Sequence, residues 1–403
     1  MAIGADETRT RSALPFAGTF AAAALLYIAT NSASALYPLY QDIYSLRPFA
    51  ITTIYAVYVG TLIPALIFTG SLAHVIGLRA VMATAWFLAA GGAAVFAAAQ
   101  DPVMLYAARL LQGASVGLAT GALAAALVAL DRDHDPRRAS VGSTLAISVG
   151  SGLGPIIGGV FVDFLPMPDR LVFIVLSVLL AVCGLGFLML PRRLGITGIR
   201  WQPRLPRIPA ENRAPFLRAC SNAFLIWAVT AIFLALVPSY FHEATGNTSI
   251  ILSSATAGLM LISAGIAQLS LQRVDSLGAQ RWGLAVVCLG LGLLVVGGIL
   301  GSAVLILLSP IIAGAGQGVA FLGGTREVNE MSATRPDHAS VFAAFAVSAY
   351  CGSGIPIIGV GLLGNAVGTT DAVLAFAIAI VILSAAWLLT SRRLTSGRPP
   401  TST

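Results

Sequence analysis

Apolar residues dominate the chain in twelve long runs, at 14–38, 49–73, 79–99, 102–130, 139–162, 170–190, 216–240, 249–271, 281–300, 302–324, 339–364 and 371–391, each separated from the next by a short polar break. About 20 such residues in a helix cover the ~30 Å hydrocarbon core of a bilayer, so each run is long enough to cross it. The runs are continuous rather than alternating, which excludes a membrane barrel built of ~10-residue alternating strands. The pattern predicts an all-α integral membrane protein of twelve transmembrane helices. The first run follows Arg9 and Arg11 in the manner of a secretory signal, but its length and the lack of a small-residue cleavage site predict a retained helix.

The longest polar stretch, "PRRLGITGIRWQPRLPRIPAENRAP" at 191–215, leaves six runs on each side. It divides the chain into an N-terminal bundle at 1–190, a linker and a C-terminal bundle at 216–403. Short matches recur at a near-constant shift. "ALYPLY" at 35–40 and "ALVPSY" at 235–240 differ by 200, and "GSGLGPIIGG" at 150–159 and "CGSGIPIIGV" at 351–360 align at 201. "QG" at 112–113 and 317–318 lie 205 apart. Two six-helix repeats in the same orientation predict a pseudo-symmetric pair of bundles with a site between them near the membrane midplane, an architecture of transport.

Composition agrees: 57% of residues are hydrophobic and 10% charged. The chain contains no lysine, and with both termini placed in the cytoplasm, Arg47 and Arg170 are the arginines that fall in outer loops. The net charge of +7 therefore follows the positive-inside rule rather than marking a nucleic-acid surface. Cys183, Cys220, Cys288 and Cys351 are too scattered for a disulfide framework or a metal site. No cofactor or metal is implied; the lipid bilayer and a small molecule are the expected partners, and the chain is expected to act as a monomer.

Residues 150–164, "GSGLGPIIGGVFVDF", pose a question, since helices normally reject so many glycines. At 100° per residue Gly150, Gly154 and Gly158 share one face, and Gly152 and Gly159 the opposite one, so the fifth helix should pack closely on two sides. Pro155 predicts a kink. Simple tight packing and a kinked helix at a moving interface both satisfy this pattern.

Arg109 is the one charged side chain placed well inside a predicted run, ~10 Å deep by helical rise. Burying arginine in a bilayer costs ~3 kcal/mol or more, which favours a functional role; a structural one, tying helices through carbonyls, is the alternative. Gln112, Gly113, Val116 and Thr120 continue its face. Asn31 and Ser34 in the first run, Tyr58, Asn222, Trp227 and Gln317 join Arg109 and Gln112 as cavity candidates, with Tyr27, Tyr55, Gln268 and Tyr350 as further polar or aromatic positions. Such a lining suits lipophilic or weakly polar molecules. No acid falls in the middle of a run; Asp42 and Asp163, near outer ends, come closest. "GASVG" at 113–117 has the nucleophile-elbow spacing, but Ser115 sits in a membrane helix with no histidine in a span, which argues against an enzyme. A receptor or structural membrane protein remains the non-transport alternative.

Two of these stretches resemble motifs of the major facilitator superfamily. Residues 150–159 match its G-x-x-x-G-P-x-x-G-G antiporter motif through Gly150, Gly154, Pro155, Gly158 and Gly159, and "RLLQGASVG" matches R-x-x-Q-G-x-x-x-G through Arg109, Gln112, Gly113 and Gly117. The pair resembles the drug/proton antiporter branch, which implies alternating access, efflux, proton coupling with Arg109 taking part, and a bacterial inner membrane location. Uptake or facilitated diffusion of a metabolite is the alternative. The superfamily's G-x-L-a-D-r-x-G-r-r gating loop is kept only in part: Gly70, Gly77 and Arg79 remain in "GSLAHVIGLR", where His74 replaces the acid, while Asp275 and Gly278 keep the acid-to-glycine spacing in the second half.

Overall fold

The computed structural model describes residues 3–69, 72–131, 133–192, 194, 201, 203, 205–209, 211–271, 274–335 and 337–393, with side chains described between residues 15 and 391 except that of residue 136. In the first half these form α1 (Ile3–Tyr44), α2 (Pro48–Thr69), the short α3 (Leu72–Ile76), α4 (Leu78–Ala97), α5 (Pro102–Leu130), α6 (Pro136–Phe164) and α7 (Leu171–Leu188). In the second half they form α8 (Arg213–Ala235), the short α9 (Val237–Thr245), α10 (Ile250–Ser270), α11 (Ser276–Ile299), α12 (Ala303–Ser332), α13 (His338–Val367) and α14 (Thr369–Arg393). Twelve of them are long and apolar enough to cross a membrane.

Starts are chemically marked. Asp101 and Ser302 cap α5 and α12 by accepting from the N–H groups of Met104 and Leu305, which satisfies donors a helix leaves open at its first turn. The proline shared by the two copies acts differently in each. Pro38 lies inside an unbroken α1, whereas Pro238 opens α9 after α8 has ended at Ala235, so the seventh run is two helices rather than one.

The packing repeats between halves. α1 packs on α6 as α8 packs on α13, α4 on α5 as α11 on α12, α2 on α5 as α10 on α12, and α4 on α7 as α11 on α14. The halves meet where α6 lies on α10 and α2 on α13, again a matching pair. The result is two pseudo-symmetric six-helix bundles, as the repeat predicts.

Glycine sets these contacts. A side chain at Gly150, Gly154 or Gly158 would collide with α1, at Ala24, Ile28 and Ala35 respectively; one at Gly152 or Gly159 would collide with Ile262 or Ser254 of α10. One face of α6 therefore belongs to its own bundle and the other to the opposite bundle. Gly352 against Phe224 and Gly361 against Thr52 reproduce the two faces on α13. Pro155 lies inside α6, which continues as helix to Phe164.

Candidate functional site

Where the two bundles face each other they enclose a cavity of about 230 Å³. From the first half α1 contributes Tyr27, Thr30, Asn31 and Ser34, α2 Tyr55, Tyr58 and Val59, α5 Arg109, Val116 and Thr120, and α6 Ile147 and Ser151. From the second come Trp227, Thr230 and Leu234 of α8, Leu261 of α10, Phe321 of α12, and Tyr350 and Ser353 of α13.

The lining is aromatic and sparingly polar. Trp227 lies between Phe321, which it meets edge to face, and Tyr350, tilted by 59°, with ring centroids 5.7 and 5.5 Å away. The Tyr55 hydroxyl meets Ser353 Oγ at 2.7 Å, a bond that crosses from one half to the other, while Tyr27 and Thr120 pair at 3.3 Å within the first half. Trp227 Nε1 is buried without a partner among the described residues.

Arg109 is the charged member, 2% exposed. Its Nη1 donates to the Thr30 carbonyl at 2.9 Å and to Gln112 Oε1 at 3.0 Å, and its Nη2 donates to the Tyr37 hydroxyl. The rings of Tyr37, Tyr58 and Phe96 lie 5.5–5.7 Å from its central carbon, within the range of attraction between a cation and an aromatic face. Its Nε has no partner among the described residues. No described carboxylate forms an ion pair with it or lines the cavity.

Five of the eight coupling and cavity candidates, Arg109, Asn31, Ser34, Tyr58 and Trp227, come together on this lining, and Gln112, Asn222 and Gln317 do not. Gln112 turns toward α1, where its Nε2 donates to the Ala29 carbonyl, and so positions Arg109. Asn222 is fully buried and donates to the Ala320 carbonyl across α8 and α12.

The glycines of α5 and α12 also fix the register between the halves. Gly113 and Gly117 of α5 lie against Tyr58 and Ala65 of α2, and their counterparts are Gly314 and Gly318, which lie against Met260 and Ala264 of α10. That register is a shift of 201, as for the antiporter-motif pair, so aligning the two "QG" pairs at 205 was a false match and Gln317 is not the counterpart of Gln112. It also takes Gly113 off the cavity face. Ser115, the elbow candidate, is buried and donates to the Ala85 carbonyl, a helix-to-helix tie.

Of the gating-loop candidates, Gly70 lies outside the described residues. Gly77 takes a positive φ of 89° at the start of α4, a conformation open to glycine at little cost, and Arg79 donates to the Leu190 carbonyl at 3.4 Å. Asp275 caps α11 by accepting from Gly278 N–H at 2.7 Å, and a side chain at Gly278 would strike that carboxylate. The acid-to-glycine spacing is thus a helix cap.

A second buried charge cluster was not foreseen. α12 extends to Ser332, well past the end of its apolar run, and carries Glu327 inside the bundle, where it pairs with Arg218 of α8 and accepts from Gln280 Nε2 at 2.6 Å. Arg109 is therefore not the lone buried charge. The helical spacing of Glu327 behind Gly323 and Gly324, both packed positions, was the available signal.

Comparison with known proteins fits this geometry. The family model of the major facilitator superfamily matches residues 19–330. The chain belongs to the major facilitator superfamily. Among solved structures this superfamily member is similar to the nucleoside transporter NupG, at 15% identity and a TM-score of 0.75 over 94% of this chain and 99% of that one. It is similar also to a POT family transporter in complex with 5-aminolevulinic acid, at 13% identity and a TM-score of 0.76 over 94% and 96% of the two chains. A third is a bacterial homolog of the human lysosomal transporter Spinster in an inward-facing and occupied conformation, at 12% identity and a TM-score of 0.73 over 96% and 98%. A search of curated proteins gives no match. At these identities the superfamily member shares the fold of these neighbours. It is a multi-pass membrane transporter.

Proposed function

We propose that this transporter works by alternating access and exports small lipophilic or weakly polar compounds in exchange for protons. The observation that carries the reading is the division of the α6 glycines between α1 of the same half and α10 of the other, which builds a close-packed glycine seam between bundles directly beside the cavity. Small residues at such a seam let the backbones of the two halves approach closely. The halves 1–190 and 216–403 are the moving units, joined by the 191–215 linker, and a single chain holds a complete cavity. The motifs of α5 and α6 support the drug/proton antiporter branch. The arginine bias supports both termini in the cytoplasm of a bacterial inner membrane.

Hydrogen bonds between the halves gather at the end of the bundle opposite the termini. Asp163 of α6 accepts from Ile250 and Ile251 N–H of α10, Asn365 of α13 accepts from Phe49 N–H of α2, and Gln41 accepts from Ser239. This supports an inward-facing state, closed on the outer side.

Proton-independent movement is the second reading, favoured by one observation: among the described residues no carboxylate lines the cavity. Reconstitution in vesicles with an imposed pH gradient decides between them. Antiport predicts substrate flux that reverses with the gradient and carries protons the opposite way; flux indifferent to pH would replace it with the uniport reading.

A further inference from the structure

We infer that the cavity is built for a small aromatic monoanion, an arenecarboxylate of one ring; this rests on the transport reading and replaces its weakly polar substrate class with an anionic one. Arg109 is the one charged side chain among the described lining residues, and a guanidinium keeps its proton in a protein, so the site carries a fixed positive charge. Its partners are the Thr30 carbonyl, the Gln112 amide oxygen and the Tyr37 hydroxyl, all neutral. A buried charge is normally matched by an opposite one, because desolvation is expensive without it. In this protein the opposite charge is left to the ligand.

Two buried donors point the same way. Arg109 Nε and Trp227 Nε1 both belong to lining residues, and neither has an acceptor among the described residues. Unsatisfied buried donors are rare in folded proteins and cost stability until an acceptor arrives. A carboxylate supplies two acceptor oxygens and one negative charge. The remaining lining, Tyr58, Trp227, Phe321 and Tyr350, offers ring faces and edges for the aromatic body. A cavity of about 230 Å³ falls below the ordinary span of drug-sized pockets, which suits one ring rather than a polycyclic compound. A cation of the same size would face Arg109 at short range in a low dielectric and be excluded.

The test is a charge series on one ring, using purified full-length protein in nanodiscs and tryptophan fluorescence, with Trp227→Phe to assign the signal. Benzoate, benzamide and benzylammonium are titrated under identical conditions. The inference predicts benzoate binding at least tenfold tighter than benzamide and no measurable binding of benzylammonium. Arg109→Lys should keep the preference and Arg109→Gln should abolish it; the wild-type series stands alone if either variant fails to fold. Benzamide binding as tightly as benzoate, or none of the three binding, would overturn the inference. Flux of each probe into vesicles separates this from the transport reading. Benzoate that binds but is never moved defeats transport and leaves the binding class standing; a neutral compound that is moved while benzoate fails to bind does the reverse.

Discussion

Asp163, at the last turn of α6, accepts hydrogen bonds from the backbone of Ile250 at 3.1 Å, so a carboxylate of one half caps the first helical turn of α10 in the other. Ile251 N–H and Ser249 Oγ donate to the same carboxylate at 3.0 Å. Asn365, at the matching place on α13, accepts from Phe49 N–H of α2 at 3.1 Å. The two clasps occupy symmetric positions, and one is charged. An anion at a helix N-terminus gains from both the open N–H groups and the helix dipole.

Asp163→Ala should loosen the outer closure. Losing bonds that solvent partly screens, worth about 0.5–1.5 kcal/mol, shifts a two-state balance severalfold. A cysteine placed at Asn31, in a background without the four native cysteines, should react several times faster with a membrane-impermeant maleimide from outside. Asp163→Asn, which keeps one acceptor, should fall between; equal labelling in all three would remove the clasp from the gate.

The same outer region contains a titratable ring. Burial pushes the His242 imidazole below its ordinary 6.5, against the raising effects of a hydrogen bond with the Ser249 backbone and of Asp42 and Asp163. The closed state thus binds the proton less readily than an open, hydrated one. His242 supports closure fully above about pH 6.5, and that support declines as pH falls from 6.5 toward the depressed value. Outer labelling should rise on acidification over this window, and His242→Phe should flatten the rise.

Glycines on the two faces of α6 should fail in different ways. Gly154→Leu strikes α1 inside its own bundle and is expected to abolish folded protein in the membrane. Gly159→Leu strikes α10 across the seam; it should leave each bundle folded yet prevent outer closure. Size-exclusion profiles and outer labelling distinguish the two, and identical behaviour would contradict the division of faces.

These two faces were legible from sequence because the 100° helical step fixes them without knowledge of any neighbour. The spans and the twofold repeat were legible for a similar reason, since bilayer thickness sets run length. What the sequence could not provide was rotation and register. Gln112 and Asn222 are polar and deep, yet both satisfy carbonyls of adjacent helices, a choice decided by packing partners. Gln317 is polar within an apolar run, yet it is buried on α12 away from the lining, a rotation that residue type alone does not fix. Tyr37 escaped notice because its bond to Arg109 joins residues far apart in the chain.

The pair of Arg218 and Glu327 should behave as a structural tie. Removing one partner of a buried pair leaves a charge without compensation, at a cost of about 3 kcal/mol. Glu327→Gln is therefore expected to lower the unfolding temperature in detergent, and the double variant Arg218→Met/Glu327→Leu to recover much of it. No recovery would show that Gln280 or the surrounding packing carries the effect.

Rocking of the halves is tested most directly by distances between spin labels at or just beyond the ends of α6 and α10. One pair, Met167 and Thr248, reports the outer end, and another, Ser140 and Ser270, reports the end nearer the termini. Alternating access predicts that adding transported substrate lengthens the outer distance while shortening the inner one, within the same population. Two distances that stay fixed, or that lengthen together, would contradict it.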